Sequence, residues 1–174
     1  MNIQWYPGHM TKAKRMMEEN IKLIDLVIEL LDARIPVSSK NPDIDTLSKG
    51  KARLIILNKA DLADEKATNE WIDYYKSQGI NAVKVNSRMK NFTKQVNEAI
   101  LKSSEAIIAR NLKRGIKNKP IRAMIVGIPN VGKSTFINTL SGRAAAKTGN
   151  KPGVTKGKQW IKIAGNIELL DTPG

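Results

Sequence analysis

Three short loops, each directly after an apolar run, constrain this chain more than anything else in it. Gly127-Ile128-Pro129-Asn130-Val131-Gly132-Lys133-Ser134 follows the mostly apolar Ile121 to Val126. Asn58-Lys59-Ala60-Asp61 follows Leu54-Ile55-Ile56-Leu57, and Asp171-Thr172-Pro173-Gly174 follows Ile167-Glu168-Leu169-Leu170. Short apolar runs bounded by turn residues read as buried strands of a parallel sheet. Loops at the carboxyl ends of such strands lie along one edge, where open α/β sheets take up ligands. The chain therefore has to bring three separated loops to one sheet edge.

The residue types say what that edge would hold. In a Gly-x-x-x-x-Gly-Lys-Ser loop, glycines let successive N–H groups of Pro129 to Thr135, proline excepted, turn toward an anion. Lys133 reaches β- and γ-phosphates, and the Ser134 hydroxyl ligates Mg²⁺. A helix beginning at the loop aims its positive end at the same phosphates, and Gly142 would end that helix. As a chance match, such a string arises in roughly one chain in two hundred of this length. In Asn58-Lys59-Ala60-Asp61, the Asp61 carboxylate can accept from guanine N1–H and its exocyclic amine. Adenine would leave it unpaired, and a site of this kind rejects the wrong partner by about four orders of magnitude. Asn58 either serves the opposite base edge or ties its loop to the phosphate loop, and the Lys59 stem covers the ring face. Chance supplies this motif in roughly one chain in fifty.

The weaker Asp171-Thr172-Pro173-Gly174 gains weight from its strand. Asp171 would hold Mg²⁺ through water, and the Gly174 N–H would meet a γ-phosphate. Between it and the phosphate loop, Arg143 to Lys158 holds no acid and reads as a switch loop, with Thr155 closing over Mg²⁺ and γ-phosphate. Asn86-Ser87-Arg88, after the strand ending at Val85, lies where GTPases offer an N–H to guanine O6. Arg88 stands there for the usual small residue. Ras-like enzymes place the phosphate loop first, the Asp-x-x-Gly motif second and the base-recognition motif last. Here the last comes first, which is the order of a circularly permuted GTPase.

The remaining chain fits a doubly wound, mostly parallel sheet of six strands. The strands are expected at Leu26 to Leu31, Leu54 to Leu57, Asn81 to Val85, Ile121 to Val126, Lys158 to Ile163 and Ile167 to Leu170. The Gly165-Asn166 turn joins the last two. Helices are expected from near Thr11, from Asn41-Pro42 to Gly50, from Asp64 to Gln78 and over Asn91 to Arg114. Met10, Ala13, Met17, Ile21 and Ile24 would face the sheet from the first of these.

With no cysteine, the chain has no disulfide framework or thiol nucleophile. No apolar stretch approaches membrane-spanning length and no signal-peptide core is present, so a cytoplasmic protein without membrane association is expected. Thirty basic residues against 16 acidic ones give a net charge of +14. Lys102 to Arg122 carries seven basic residues and one acid, and Arg143 to Lys162 six and none. Such blocks suit a polyanionic partner, because each phosphate neutralised releases counterions.

Ile3-Gln4-Trp5-Tyr6-Pro7-Gly8-His9-Met10, then Lys12-Ala13, then Asp32-Ala33-Arg34-Ile35-Pro36 closely resemble the ribosome biogenesis GTPase A family. That family comprises circularly permuted GTPases of bacterial large-subunit assembly. The resemblance continues through the three loops, Lys147-Thr148-Gly149 and Pro152-Gly153-Val154-Thr155. It implies GTP hydrolysis stimulated by the large-subunit precursor, rRNA as partner, release after hydrolysis, Mg²⁺, and K⁺ held near Asn130. It makes His9 a candidate for orienting the attacking water beside Lys133 and Thr155; on the residues alone His9 is a turn and cap residue. Residues 1–174 are expected to form one permuted GTPase domain, monomeric and without the family's carboxyl-terminal rRNA-binding helical domain. The alternative is a GTP-gated RNA-binding module with negligible turnover.

Overall fold

The computed structural model describes residues 8–86, 90–127, 131–142, 159–163 and 165–171, the side chains of 8–13 and 90 excepted. Six strands form one sheet: β1 (Leu26–Asp32), β2 (Ala52–Asn58), β3 (Asn81–Lys84), β4 (Ile121–Val126), β5 (Gln159–Ile163) and β6 (Ile167–Asp171). Their order is β3-β2-β1-β4-β6-β5, with every neighbouring pair parallel except β5 with β6. That antiparallel pair, which closes with Ile163 opposite Ile167, turns through Gly165 and Asn166, both with positive φ (83° and 61°), a conformation these residue types take readily. If the count is started at β4, the order becomes 6-5-4-1-3-2. Strands 4, 5 and 6 of that count lie on one side of the β4–β1 seam and 1, 3 and 2 on the other, so the seam is the switch point of a doubly wound sheet. The architecture is that of a Ras-like phosphate-loop fold with its chain order rotated, as the motif order predicts.

The helices are α1 (Gly8–Ile21), α2 (Ile44–Leu47), α3 (Glu65–Ser77), α4 (Thr93–Ser103), α5 (Glu105–Lys113) and α6 (Lys133–Ser141). Strand periodicity divides the core between the two faces. Leu26, Ile28 and Leu30 of β1 join Ala123 and Ile125 of β4 beneath α4 and α6, which contribute Val96, Ile100, Phe136 and Ile137. On the other face Val27, Met124, Val126 and Leu170 pack with Met17, Ile21, Ile24 and Ile44. Leu31, Ile55 and Leu57 pack there with Tyr75 of α3. Met17, Ile21 and Ile24 thus take their expected places; the side chains of Met10 and Ala13 lie outside the described residues.

Two helices differ from expectation, and serine chemistry accounts for both. The helix expected over 41–50 shrinks to the single turn of α2. Asn41 Oδ1 accepts from the Asp43 N–H (3.0 Å), and the Ser48 hydroxyl donates to the Ile44 carbonyl (2.6 Å). Both bonds offer the backbone local alternatives to a helix ladder. The helix expected over 91–114 breaks at Ser104, whose N–H is shared between the carbonyls of Ile100 (3.1 Å) and Leu101 (3.2 Å). The Ser103 hydroxyl donates back to the Ala99 carbonyl at 2.8 Å, a bond that bends helices.

Candidate nucleotide site at the carboxyl edge of the sheet

Parallel register sets the edge. Asp32 of β1 is opposite Asn58 of β2, and Asp171 of β6 is opposite Ile125, two residues before Gly127. The three loops therefore leave β2, β4 and β6, with β1 between the first two, at nearly one level.

Asn58 is buried, and its side-chain amide donates to the Val131 carbonyl at 2.8 Å across 73 residues of sequence. Of the two roles open to it, the structure shows the tie between base-recognition loop and phosphate loop. The backbone then turns sharply. Lys59 adopts a left-handed conformation (φ 60°, ψ 34°) and Ala60–Leu62 form a 3₁₀ turn carrying Asp61, whose side chain is exposed to solvent. The Ala60 N–H donates to the Val85 carbonyl (3.1 Å) and the Val85 N–H to the Leu57 carbonyl (2.9 Å). These bonds hold the segment leading to Asn86 against the base-recognition loop. Ser87 and Arg88 lie outside the described residues.

On the phosphate side, Gly127 makes the close approach that its motif requires. A Cβ there would come within 2.9 Å of Val131 Cγ2 and 3.3 Å of the Leu30 carbonyl oxygen. Pro129 and Asn130 lie outside the described residues. Val131 is buried, Gly132 takes φ 89°, and its carbonyl accepts the first helical bond from Phe136 at 2.9 Å. Gly132, the N-cap of α6, has no side chain with which to cap it, and a helix start of this kind suits an anion. Lys133 and Ser134 open this helix, and exposed Thr135 follows. The Lys133 Nζ stands 3.4 Å from Asp171 Oδ1, with both side chains largely buried. The structure thus joins Asn58 to Val131 and Lys133 to Asp171. Thr155 and Gly174 lie outside the described residues, as does the side chain of His9, whose backbone begins α1.

One group at this edge had no assigned role in the sequence. The Asp32 carboxylate accepts from Arg34 Nε (3.0 Å), an Arg34 terminal nitrogen (2.8 Å) and the Arg34 backbone N–H (2.9 Å). Lys59 Nζ stands 3.8 Å from Oδ2, the oxygen that also accepts from the Arg34 terminal nitrogen. The bonded Arg34 guanidinium holds Asp32 below the usual carboxylate range, against the burial that pushes it up. Asp32 also raises Arg34, as does the nearby charge of Asp61. A buried acid at a strand's carboxyl end, two residues before an arginine, was the available signal. A cavity of about 810 Å³ opens elsewhere, beside Arg53, Trp71, Tyr74 and Tyr75, and none of the motif residues lines it.

Ser134 and Asp171 offer hard oxygen donors of the kind Mg²⁺ takes. Among the described residues no three His, Cys, Asp or Glu side chains cluster as a metal cage. Mg²⁺ bound with a nucleotide needs no such cage, since phosphates and water complete its shell.

Comparison with known proteins agrees with this geometry. Residues 122–174 match the family described as 50S ribosome-binding GTPase. Ribosome biogenesis GTPase A of Priestia megaterium is 51% identical over the whole chain, which spans 61% of that protein. The protein of that name from Thermotoga maritima is 38% identical over 99% of this chain and 58% of its own length. The chain thus spans about three fifths of the curated relatives it matches. Among solved structures, GDP-bound YlqF has a TM-score of 0.63 at 30% identity, over 92% of this chain and 57% of that one. GNP-bound YlqF from T. maritima scores 0.60 at 31% identity, over 94% and 57%. With rotated motifs, rotated strand order and alignment over its full length, the chain is similar to the ribosome biogenesis GTPase A proteins and has the fold of a circularly permuted GTPase.

Proposed function

We propose that the chain binds GTP and GDP at the carboxyl edge of its sheet, hydrolyses GTP with Mg²⁺, and serves large-subunit assembly. It would join the precursor particle and its rRNA in the GTP state, in the cytoplasm and as a monomer, and leave after hydrolysis. The observation that carries the nucleotide reading is the 2.8 Å bond from Asn58 to the Val131 carbonyl. It fixes a base-recognition loop and a phosphate loop relative to one another before any ligand arrives. Nothing in a merely structural sheet edge calls for such a tie. The names of the relatives support the assembly role.

Phosphoryl transfer asks the protein chiefly for positioning and charge stabilisation. Asp61 would accept from the guanine edge, with Asn86, Ser87 and Arg88 supplying the N–H toward O6 and the Lys59 stem covering the ring. Lys133 and the backbone N–H groups of Asn130 to Thr135 would hold the phosphates. The Lys133–Asp171 pair, only 13% and 19% exposed, keeps the ammonium positioned at the strand end when no phosphate is bound. Ser134, Asp171 and Thr155 would hold Mg²⁺, which when bound neutralises charge on the β- and γ-oxygens. Asn130 would hold K⁺, Gly174 would donate to the γ-phosphate, and His9 would orient water. We take residues 1–174 as one permuted GTPase domain.

The test is GTP turnover in K⁺ and in Na⁺, with and without purified large-subunit precursor particles. Turnover should rise with the particle and be greater in K⁺. Tight GTP binding without turnover under any condition would favour the GTP-gated RNA-binding module instead. Failure to bind GTP would remove the nucleotide reading altogether.

A further inference from the structure

Strand direction gives the sheet a second edge, at the amino ends of β1, β2, β4 and β6, and charge accumulates beside it. α4 buries Val96, Ala99 and Ile100, whereas α5 buries no residue fully. α5 rests Ile107 and Ile108 against the core, and beyond them residues 112–119 are exposed. Arg110 and Lys113 occupy its last turn and Arg114 caps it. The chain then reverses at Gly115 (φ 74°), with N–H bonds from Gly115 to the Leu112 carbonyl (3.0 Å) and from Ile116 to the Asn111 carbonyl (2.9 Å). Lys117 and Lys119 follow on the connection to β4. That connection is pinned to the β5–β6 turn, because the Asn166 amide donates to the Asn118 carbonyl (3.3 Å) and its carbonyl accepts from Ile121 N–H (3.0 Å).

All five cations are exposed, and none forms an ion pair among the described residues. Acids that could answer them are already engaged. Glu168 pairs with Arg122 at 3.4 Å, and Asp25 accepts from the Arg122 N–H at 3.2 Å. The helix macrodipole accounts for cations in the last turn of α5. It does not account for Lys117 and Lys119 beyond the helix, and like charges so near one another repel.

The geometry points to the end of α5 and residues 114–119 as a docking surface for the phosphodiester backbone of structured RNA. This rests on the proposed assembly role and gives it a location, away from the nucleotide edge. The five cations stand on an exposed helix end and loop, and residues 105–119 hold no aromatic side chain on which a base could stack. Contacts of this kind fix position without reading sequence. Exposed Leu112 and Ile116 stand among these cations, but two aliphatic side chains without an aromatic anchor offer a lipid surface little apolar area.

The experiment measures binding of a labelled large-subunit rRNA domain to the 174-residue chain between about 50 and 200 mM KCl. The variant Lys113→Ala/Arg114→Ala/Lys117→Ala/Lys119→Ala is compared with one that keeps the charge, Lys113→Arg/Lys117→Arg/Lys119→Arg. If all four groups touch phosphates, the alanine variant should lower the log–log salt slope by about three, at about 0.7 per contact. The arginine variant should retain the wild-type slope. A fluorescent GTP analogue should bind both like wild type, which shows that they are folded and tests the nucleotide reading separately. An unchanged slope in the alanine variant overturns the proposal and leaves the nucleotide reading standing. So does absence of RNA binding by a wild-type chain that binds nucleotide. Preference for phosphatidylglycerol vesicles over RNA, lost in the alanine variant, overturns the assignment to RNA.

Discussion

The two ends of the sheet treat positive charge in opposite ways. At the carboxyl end Lys133 meets Asp171, and Arg34 and Lys59 meet Asp32. At the amino end Arg110, Lys113, Arg114, Lys117 and Lys119 meet no acid among the described residues. Paired groups with restricted geometry are what selective recognition needs, because orientation is settled before the ligand arrives. Unpaired charge on an exposed surface gives a field without fixed geometry, suited to a polyanion whose sequence does not matter. On the proposed readings, one end would select and the other attract.

The variants that break this contrast most sharply are at the selective end. Asp61→Asn should turn base preference from guanine toward xanthine, because an amide donates where the carboxylate accepted. The GTP-to-XTP affinity ratio should shift by about four orders of magnitude, with the RNA salt slope unchanged. Equal GTP affinity in variant and wild type would remove Asp61 from the base site. Lys133→Ala comes next. It deletes a charge-assisted contact to phosphate and leaves Asp171 without its partner, so binding of a fluorescent GTP analogue should weaken by about 3 kcal/mol, roughly a hundredfold. An affinity within threefold of wild type would place the phosphates elsewhere.

Asn58→Ala should act through the protein itself. Loss of the amide strands the buried Val131 carbonyl, and urea unfolding without nucleotide should report about 1–3 kcal/mol lost stability. No loss would mean that water replaces the tie and that the loops are not held by it. The smallest effect is expected from Asp32→Asn, and it sharpens the contrast by pH. Asp32 has a folded pKa lowered from 3.8, chiefly by Arg34. The stability it adds is therefore fully present above pH 3.8 and is lost as pH falls through the lower folded value. Wild type should exceed the variant by a constant margin near neutrality, and the margin should shrink in unfolding series below about pH 3.8. A margin that grows toward acid would refute the pairing.

Much of this was legible in the sequence because one signal dominated each feature. Apolar runs such as Leu54 to Leu57 have no alternative to a buried strand once a turn motif bounds them. Their shared direction follows from where the motifs must meet. Strand order required only that the motif order be read as a rotation. The helices over 41–50 and 91–114 were less legible, because Ser48 and Ser103 bond to carbonyls four residues back and periodicity does not report that competition. Asn58 left two roles open, since an amide can serve a base or a backbone, and only proximity to Val131 separates them. Asp32 and Arg34 went without a role for a related reason. Their pairing is local, but its meaning comes from Lys59 and Asp61 in the loop after the next strand. Assignments to Asn130, Thr155 and Gly174 lie outside the described residues.

The rotated strand order also bears on how the chain acquires its fold during translation. β1, β2 and β3 form a contiguous half-sheet, and β1 waits for β4 to cover its open edge. The bond from the Arg122 N–H to the Asp25 carboxylate at that seam spans 97 residues. At ribosomal rates of about 5–20 residues per second, the wait lasts roughly 5–20 s. For that interval the apolar edge of β1 carries unpaired N–H and C=O groups, a template for pairing with another chain. In an unpermuted relative, the phosphate-loop strand is made early and β1's counterpart finds it already in place. Rotation of the strand order therefore moves the vulnerable moment of synthesis onto the seam where the two halves of the proposed nucleotide site meet.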